Sequence, residues 1–256
     1  MALTLMASLL LAAVARAAPL TDLALNSTKW TTDHVLQHDE VILYGEGRME
    51  VVHESIYHAL ISEQGLSRIP PEEEPALSGL SSIGKNHTNL HARDECGLTT
   101  AVVTDKSQTF IDWDVQMSPV VIGTGTGIDV YVSSGYSVSN SVSVSAGLDI
   151  KDITEKLGAS LGIDYTKTWT TQTVINIKGN VQDGYSGVMI TKPVKTRKTG
   201  RTLQGCLGAQ KQTGTFSADS FDKGSYGGVE WVSGAITMCT KKEFPLSRCS
   251  GSGNFV

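Results

Sequence analysis

Ile128-Asp129-Val130-Tyr131-Val132-Ser133-Ser134-Gly135-Tyr136-Ser137-Val138-Ser139-Asn140-Ser141-Val142-Ser143-Val144-Ser145-Ala146-Gly147-Leu148-Asp149-Ile150 alternates apolar with polar residues. Even positions carry Ile128, Val130, Val132, Val138, Val142, Val144, Ala146, Leu148 and Ile150, and serine dominates the odd ones. Only an extended strand can use a period of two held this long. A second arm repeats the pattern, with Leu161, Ile163, Tyr165, Trp169, Ile175 and Ile177 on one parity. Asp164, Thr166, Thr168, Thr170, Gln172 and Asn176 hold the other. Between the arms lies the charged segment Lys151-Asp152-Ile153-Thr154-Glu155-Lys156-Leu157-Gly158. The pattern predicts a long Ser/Thr-rich hairpin over 128–181 around a short tip. Its apolar face comprises Val138, Val142, Val144, Leu148, Ile150, Leu161, Ile163, Tyr165 and Trp169. Such a face suits a sheet with one wet side, and equally a strand between lipid and water.

Outward from the hairpin, residues 94–256 read as all-β. Thr109, Ile111, Trp113, Val115 and Met117 alternate with Phe110, Asp112, Asp114 and Gln116 until Pro119 breaks the run. Gly184 to Thr191 and Val229 to Cys239 supply further strands. Only Asp152 to Leu157 carries even one or two turns of helical composition. The expected fold is mainly β, an elongated antiparallel sheet or β-sandwich domain at 94–256. A small α/β or partly disordered N-terminal arm is expected before it.

The first residues read as a targeting segment. Leu3 to Val14 is an apolar run too short to span a bilayer comfortably, and Ala15-Arg16-Ala17 is a small-x-small cleavage site. Residues 1–17 are therefore expected to be a signal peptide removed after Ala17, and the product to be secreted and extracellular. Residues 1–93 carry 6 basic and 11 acidic groups, so −5, while 94–256 carry 15 of each. All six histidines lie in the first part and all four cysteines in the second. Val52, Ile56, Leu60 and Ile61 predict a short helix, and Pro70-Pro71-Glu72-Glu73-Glu74-Pro75 opens a linker that runs to His91. Residues 18–93 thus read as an acidic arm or pro-region. Arg93, in the exposed linker, is a candidate processing site that would free 94–256. A purified protein beginning at Ala18 would exclude that processing. Asn26 and Asn86 stand in glycosylation patterns.

Export makes disulfides the default for Cys96, Cys206, Cys239 and Cys249. Three pairings exist. A Cys239–Cys249 loop would be short and local, and Cys96–Cys206 would then join the start of the domain to its middle, at roughly 2–4 kcal/mol per bridge. The cysteine spacing offers no zinc motif, so neither metal nor cofactor is expected. A net charge of −5 argues against nucleic acid as a partner. Residues 94–256 hold no histidine, which removes a Ser-His-Asp or Cys-His nucleophile there. Asp112 and Asp114 share strand parity, and glycosidases hold two carboxyls roughly 5–10 Å apart. A solvent-facing Asp on an amphipathic strand is the commoner role, so no catalytic residue is assigned and no enzyme is expected. Lys192, Lys195, Arg197, Lys198 and Arg201 form a basic cluster, either a solvated loop or a contact for anionic lipid, acidic sugar or a host protein.

Several strings resemble a known family. They are Asp112-Trp113-Asp114-Val115-Gln116-Met117-Ser118-Pro119, Ser134-Gly135-Tyr136-Ser137-Val138-Ser139-Asn140-Ser141-Val142, Gly184-Tyr185-Ser186-Gly187-Val188-Met189-Ile190-Thr191-Lys192-Pro193, and Pro245-Leu246-Ser247-Arg248-Cys249 with Gly251-Ser252-Gly253-Asn254-Phe255. Across 94–256, and weakly into Gly45 to His53, the chain resembles secreted effector-like proteins of filamentous ascomycete fungi. That resemblance implies a small, cysteine-bridged virulence protein acting on a host, and brings no catalytic residue. The Ser/Thr-rich arms around a short tip also resemble the membrane-inserting hairpin of aerolysin-type β-pore-forming toxins. That second likeness implies a homo-oligomer and a host membrane as partner. The alternative partner is a host surface protein or glycan, bound without a pore.

Overall fold

The computed structural model describes residues 27–45, 47–71, 99–173 and 176–256. The fold is mainly β. The chain opens with β1 (Thr28–Lys29), β2 (Val35–Leu36), β3 (Glu40–Gly45), β4 (Arg48–His53) and helix α1 (Glu54–Glu63). Next come β5 (Thr99–Ile111), β6 (Val115–Gln116), β7 (Val121–Ile122), β8 (Ile128–Tyr131), β9 (Ser137–Ser139), β10 (Ser141–Val144), α2 (Ile150–Leu161), β11 (Thr168–Thr170) and β12 (Lys178–Val181). The rest is β13 (Ser186–Gly205), β14 (Lys211–Phe221), β15 (Lys223–Tyr226), β16 (Val229–Val232) and β17 (Gly234–Lys241).

The 20-residue β13 is the spine of a large sheet. Its first half, Ser186–Pro193, pairs antiparallel with β17 and with the short β6 and β7. Its second half pairs antiparallel with β14 and β5. Pro193 stands at the changeover, where a strand loses least by lacking an N–H. Gly234 opposes it at φ 154°, and an added Cβ there would lie 2.4 Å from the Lys192 carbonyl oxygen. The full order is β1-β4-β3-β17-β13-β14-β10, with β5, β6 and β7 also on β13.

Burial follows strand parity. On β3, Ile42 and Tyr44 face the main core with Trp30, Trp169, Met189, Trp231 and Ile236. Val41 and Leu43 face the other way, onto Tyr57, Leu60 and Ile61 of α1. A strand buried on both sides is an interior strand. The described part of the arm expected at 18–93 is built into the fold rather than standing apart from it. β1, β3 and β4 belong to the large sheet, with β3 between β4 and β17, β2 pairs with β12 in a second sheet, and α1 packs on Val41 and Leu43. The short helix expected from Val52, Ile56, Leu60 and Ile61 is α1, capped by the His53 side chain. Ala17, Asn26, Asn86, Arg93 and Cys96 lie outside the described residues.

Candidate functional site

The long hairpin is present in part. Its base pairs as expected: Ile128 faces Val181 and Tyr131 faces Lys178 across β8 and β12. Higher up, Ser137 faces Thr170, Val138 faces Trp169 and Ser139 faces Thr168 across β9 and β11. The Ser139 and Thr168 hydroxyls meet at 2.8 Å. Trp169 is buried in the main core, edge-on to Phe221 with ring centroids 6.3 Å apart.

Beyond Ser139 the arms separate, and Asn140 marks the junction. Its backbone N–H still donates to the Lys167 carbonyl at 3.0 Å. Its buried side chain donates through Nδ2 to the Asp164 carbonyl at 2.7 Å and accepts the Phe221 N–H on Oδ1 at 2.8 Å. From Ser141 the first arm leaves its sister and pairs with β14, with Val142 opposite Ala218 and Val144 opposite Phe216. β10 is thus an edge strand, held past its end by the Ser145 N–H on the Thr215 carbonyl at 3.0 Å.

The expected short tip is instead the 12-residue helix α2. Asp149 caps it, accepting the Lys151 and Asp152 amides at 2.8 and 3.3 Å. Gly162 ends it at φ 67°, donating to the Gly158 carbonyl. Ile153 and Leu157 lie on one face and are fully buried against Phe216, Ala218 and Tyr165. Val102, Val142, Val144, Leu161 and Ile163 complete that cluster, and Ile150 stays half exposed. Such burial is worth about 1.5–3 kcal/mol per side chain. On the outer face Lys156 pairs with Asp152 and Lys151 with Glu155. The Tyr165 hydroxyl is buried with no partner among the described residues. Burial and the Asp219 carboxylate push its phenol up to about 12. Segment 137–170 is therefore a flap: two polar-faced arms and a helix resting on the far half of the sheet.

The basic cluster is not a loop but the centre of β13. Arg197 makes a two-pronged bond to Asp219, Nε to Oδ1 and Nη2 to Oδ2, both at 2.7 Å. Lys195 lies 2.5 Å from Asp112 and 3.6 Å from Asp219. Arg201 pairs with Asp105 and Lys192 with Glu54. Lys198 sits between Ala218 and Ser107 in mid-sheet. The four paired cations are neutralised within the fold, so they do not form a free basic surface. Asp112 and Asp114 also part company: Asp112 joins the Lys195 network, while Asp114 is buried on the Ser250 amide at 2.5 Å.

Comparison with protein-family models, with curated proteins and with solved structures finds no match for this chain. The flap therefore has to be judged on its own geometry. No helix among the described residues is long and apolar enough to cross a membrane. Cys239 and Cys249 form a disulfide, Cys206 is disulfide-bonded too, and none of the described cysteines is free. Asn140 was readable in the sequence only as a break in the apolar face. Its role as a three-way tie needs Phe221 and Asp164, which sequence distance hides.

Proposed function

We propose that this protein is a secreted, non-enzymatic fungal effector with toxin-like action, and that it releases residues 137–170 from the sheet and inserts them into a host membrane as a β-hairpin. The register of β9 on β11 carries this reading. Val138 faces Trp169. Continuing the same register two residues at a time sets Asn140 opposite Lys167, Val142 opposite Tyr165, Val144 opposite Ile163, Ala146 opposite Leu161, Leu148 opposite Ala159 and Ile150 opposite Leu157. One face of that hairpin is apolar except for the Asn140–Lys167 pair, and the other is rich in Ser and Thr. A transmembrane strand needs this dyad pattern. Ser137–Ile150 and Leu157–Thr170 each exceed the ~10 residues that cross a bilayer. The turn becomes Lys151 to Lys156, a charged tip suited to the far surface. Open strand edges are not tolerated in lipid, so several copies must contribute hairpins to one closed barrel.

The test is dye release from anionic and neutral liposomes. Ser143 lies directly opposite Ser217 across β10 and β14. A bridge in an oxidised S143C/S217C variant would hold the flap on the sheet. Release by wild type and by S143A/S217A, but not by the bridged variant, supports insertion. No release on any lipid by folded wild-type protein removes it.

A second reading, a non-pore-forming module that binds a host protein or glycan, rests on Trp113. Its indole is 46% exposed and lies against Gly251, where an added Cβ would come within 2.9 Å of Cγ. An exposed indole face suits sugar stacking. A host-cell effect retained by the bridged variant would favour this reading.

A further inference from the structure

The Cys239–Cys249 bridge joins the last core strand to the C-terminal segment, and its two ends differ. Cys239 is fully buried among Val188, Ile190 and Leu246, while Cys249 is exposed. A carboxylate oxygen of Asp114 lies within 4.8 Å of both sulfurs. Both sulfurs are used in the disulfide, so this is not a thiolate metal cage. Asp114 is 2% exposed, and its Oδ1 has no hydrogen-bond partner among the described residues. Its Oδ2 accepts the Ser250 N–H, and Arg248 donates to its backbone carbonyl. Lys241 donates to the Ser247 hydroxyl and the Arg248 carbonyl, bringing a second cation to the same loop.

We propose that this bridge is an exchange-active disulfide for small thiols or protein dithiols, with Asp114 as the proton donor to Cys239. An external thiolate attacks the sulfur of Cys249, the exposed residue of the pair. The Cys239–Cys249 bond breaks, a mixed disulfide forms on Cys249, and Cys239 leaves with the electron pair. A buried thiolate beside a carboxylate is unfavourable, so the departing sulfur takes the proton of the Asp114 carboxyl. The new Cys239 thiol has the Ser247 carbonyl at 3.9 Å as acceptor. A second external thiolate then resolves the mixed disulfide and frees Cys249, in a loop held by Arg248 on the Asp114 carbonyl and by Lys241, which also pairs with Glu243. Two external thiolates become one disulfide and the bridge gains two electrons: Cys239 ends as the thiol with the proton from Asp114, which solvent reprotonates, and Cys249 ends as the thiolate.

The surroundings of Asp114 suit the role of proton donor. Burial raises the Asp114 carboxyl above its ordinary range, against the Ser250 and Cys249 amides and the charges of Lys192 and Arg248. Tyr57 is the remaining titratable neighbour that senses it.

The experiment treats purified, fully oxidised protein with glutathione between pH 5.5 and 8, quenches with acid, alkylates and maps each cysteine. The expected adduct is on Cys249, with Cys239 recovered as the alkylated thiol. In D114N, opening of the bridge slows by roughly 10-fold or more, since a positioned proton donor is worth at least that much. The gap narrows as pH rises and Asp114 loses its proton. A bridge that glutathione leaves closed, an adduct on Cys239, or equal rates in wild type and D114N would each overturn the proposal. The adduct position is read on wild type, so that arm holds even where D114N folds poorly.

Discussion

Asn140 Oδ1 accepts the Phe221 N–H at 2.8 Å, and this bond binds the first arm of the flap to the end of β14. The same side chain holds the second arm through the Asp164 carbonyl at 2.7 Å. N140A therefore strands the buried Phe221 amide, while the Asp164 carbonyl keeps the Lys167 N–H at 3.3 Å. The expected loss is about 1–3 kcal/mol, the cost of an unmet buried polar group. Urea denaturation reads that loss. Hydrogen exchange of Phe221 and of residues 141–144 should rise more than that of β13.

Leu157 supplies a more local test. It is 1% exposed and packs with Ile153 under Phe216 and Tyr165. L157A should remove about 2–5 kcal/mol from the contact that holds α2 down. If the flap opens as its own unit, exchange across 150–161 accelerates while protection of β13 and β17 is kept, and dye release rises at low protein concentration. A uniform loss of protection across the sheet would mean that the flap does not open alone, which counts against insertion.

The sequence carried much of this fold and hid the rest for identifiable reasons. Val138 and Trp169 were legible as partners because their period of two extends over both arms, and β9 and β11 do pair them. Ile153, Leu157 and Leu161 were ambiguous, since a spacing of four fits both alternate strand positions and successive helical turns. Packing against Phe216 and Ala218 chose the helix. The departure of β10 to β14 was out of reach, because Val142 satisfies either partner. The cations of β13 looked like a solvated cluster because Thr and Gly separate them. Their aspartates lie 22 residues away at Asp219 and 96 away at Asp105. Val41 to Leu43 looked like part of an appendage because composition reports charge balance, whereas strand pairing with β17 is a long-range contact.

The Arg197–Asp219 pair makes a distinct prediction about stability. Both side chains are only 11% exposed. Removing one partner of a buried pair leaves an uncompensated charge and costs about 3–5 kcal/mol. R197M should fall near the low end, because Lys195 still reaches Asp219 at 3.6 Å. R197M/D219N should recover most of the loss, since the second change removes the stranded charge. Denaturant melts of the two single variants and the double variant measure this coupling. Additive losses would show that the pair is weaker than its geometry implies.

Asp114 sets a pH dependence whose sign can be worked out. Its folded carboxyl titrates above the unfolded value, burial being the largest cause. Below the unfolded pKa both states hold the proton, and the group has no differential effect. As pH rises above ~4 the unfolded chain releases its proton first, which favours unfolding until the folded carboxyl also ionises. The stability present in acid is therefore lost toward neutral pH. D114N keeps the size of the side chain and an acceptor for the Ser250 amide, and it does not titrate. Its melting temperature should match wild type near pH 3 and exceed it increasingly from pH 4 upward, reaching a plateau once Asp114 is ionised. Thermal melts in steps of half a pH unit give the difference curve, and the midpoint of its rise reports the folded pKa. A difference that is flat with pH, or that shrinks as pH rises, would show that the Ser250 and Cys249 amides outweigh burial at this carboxyl.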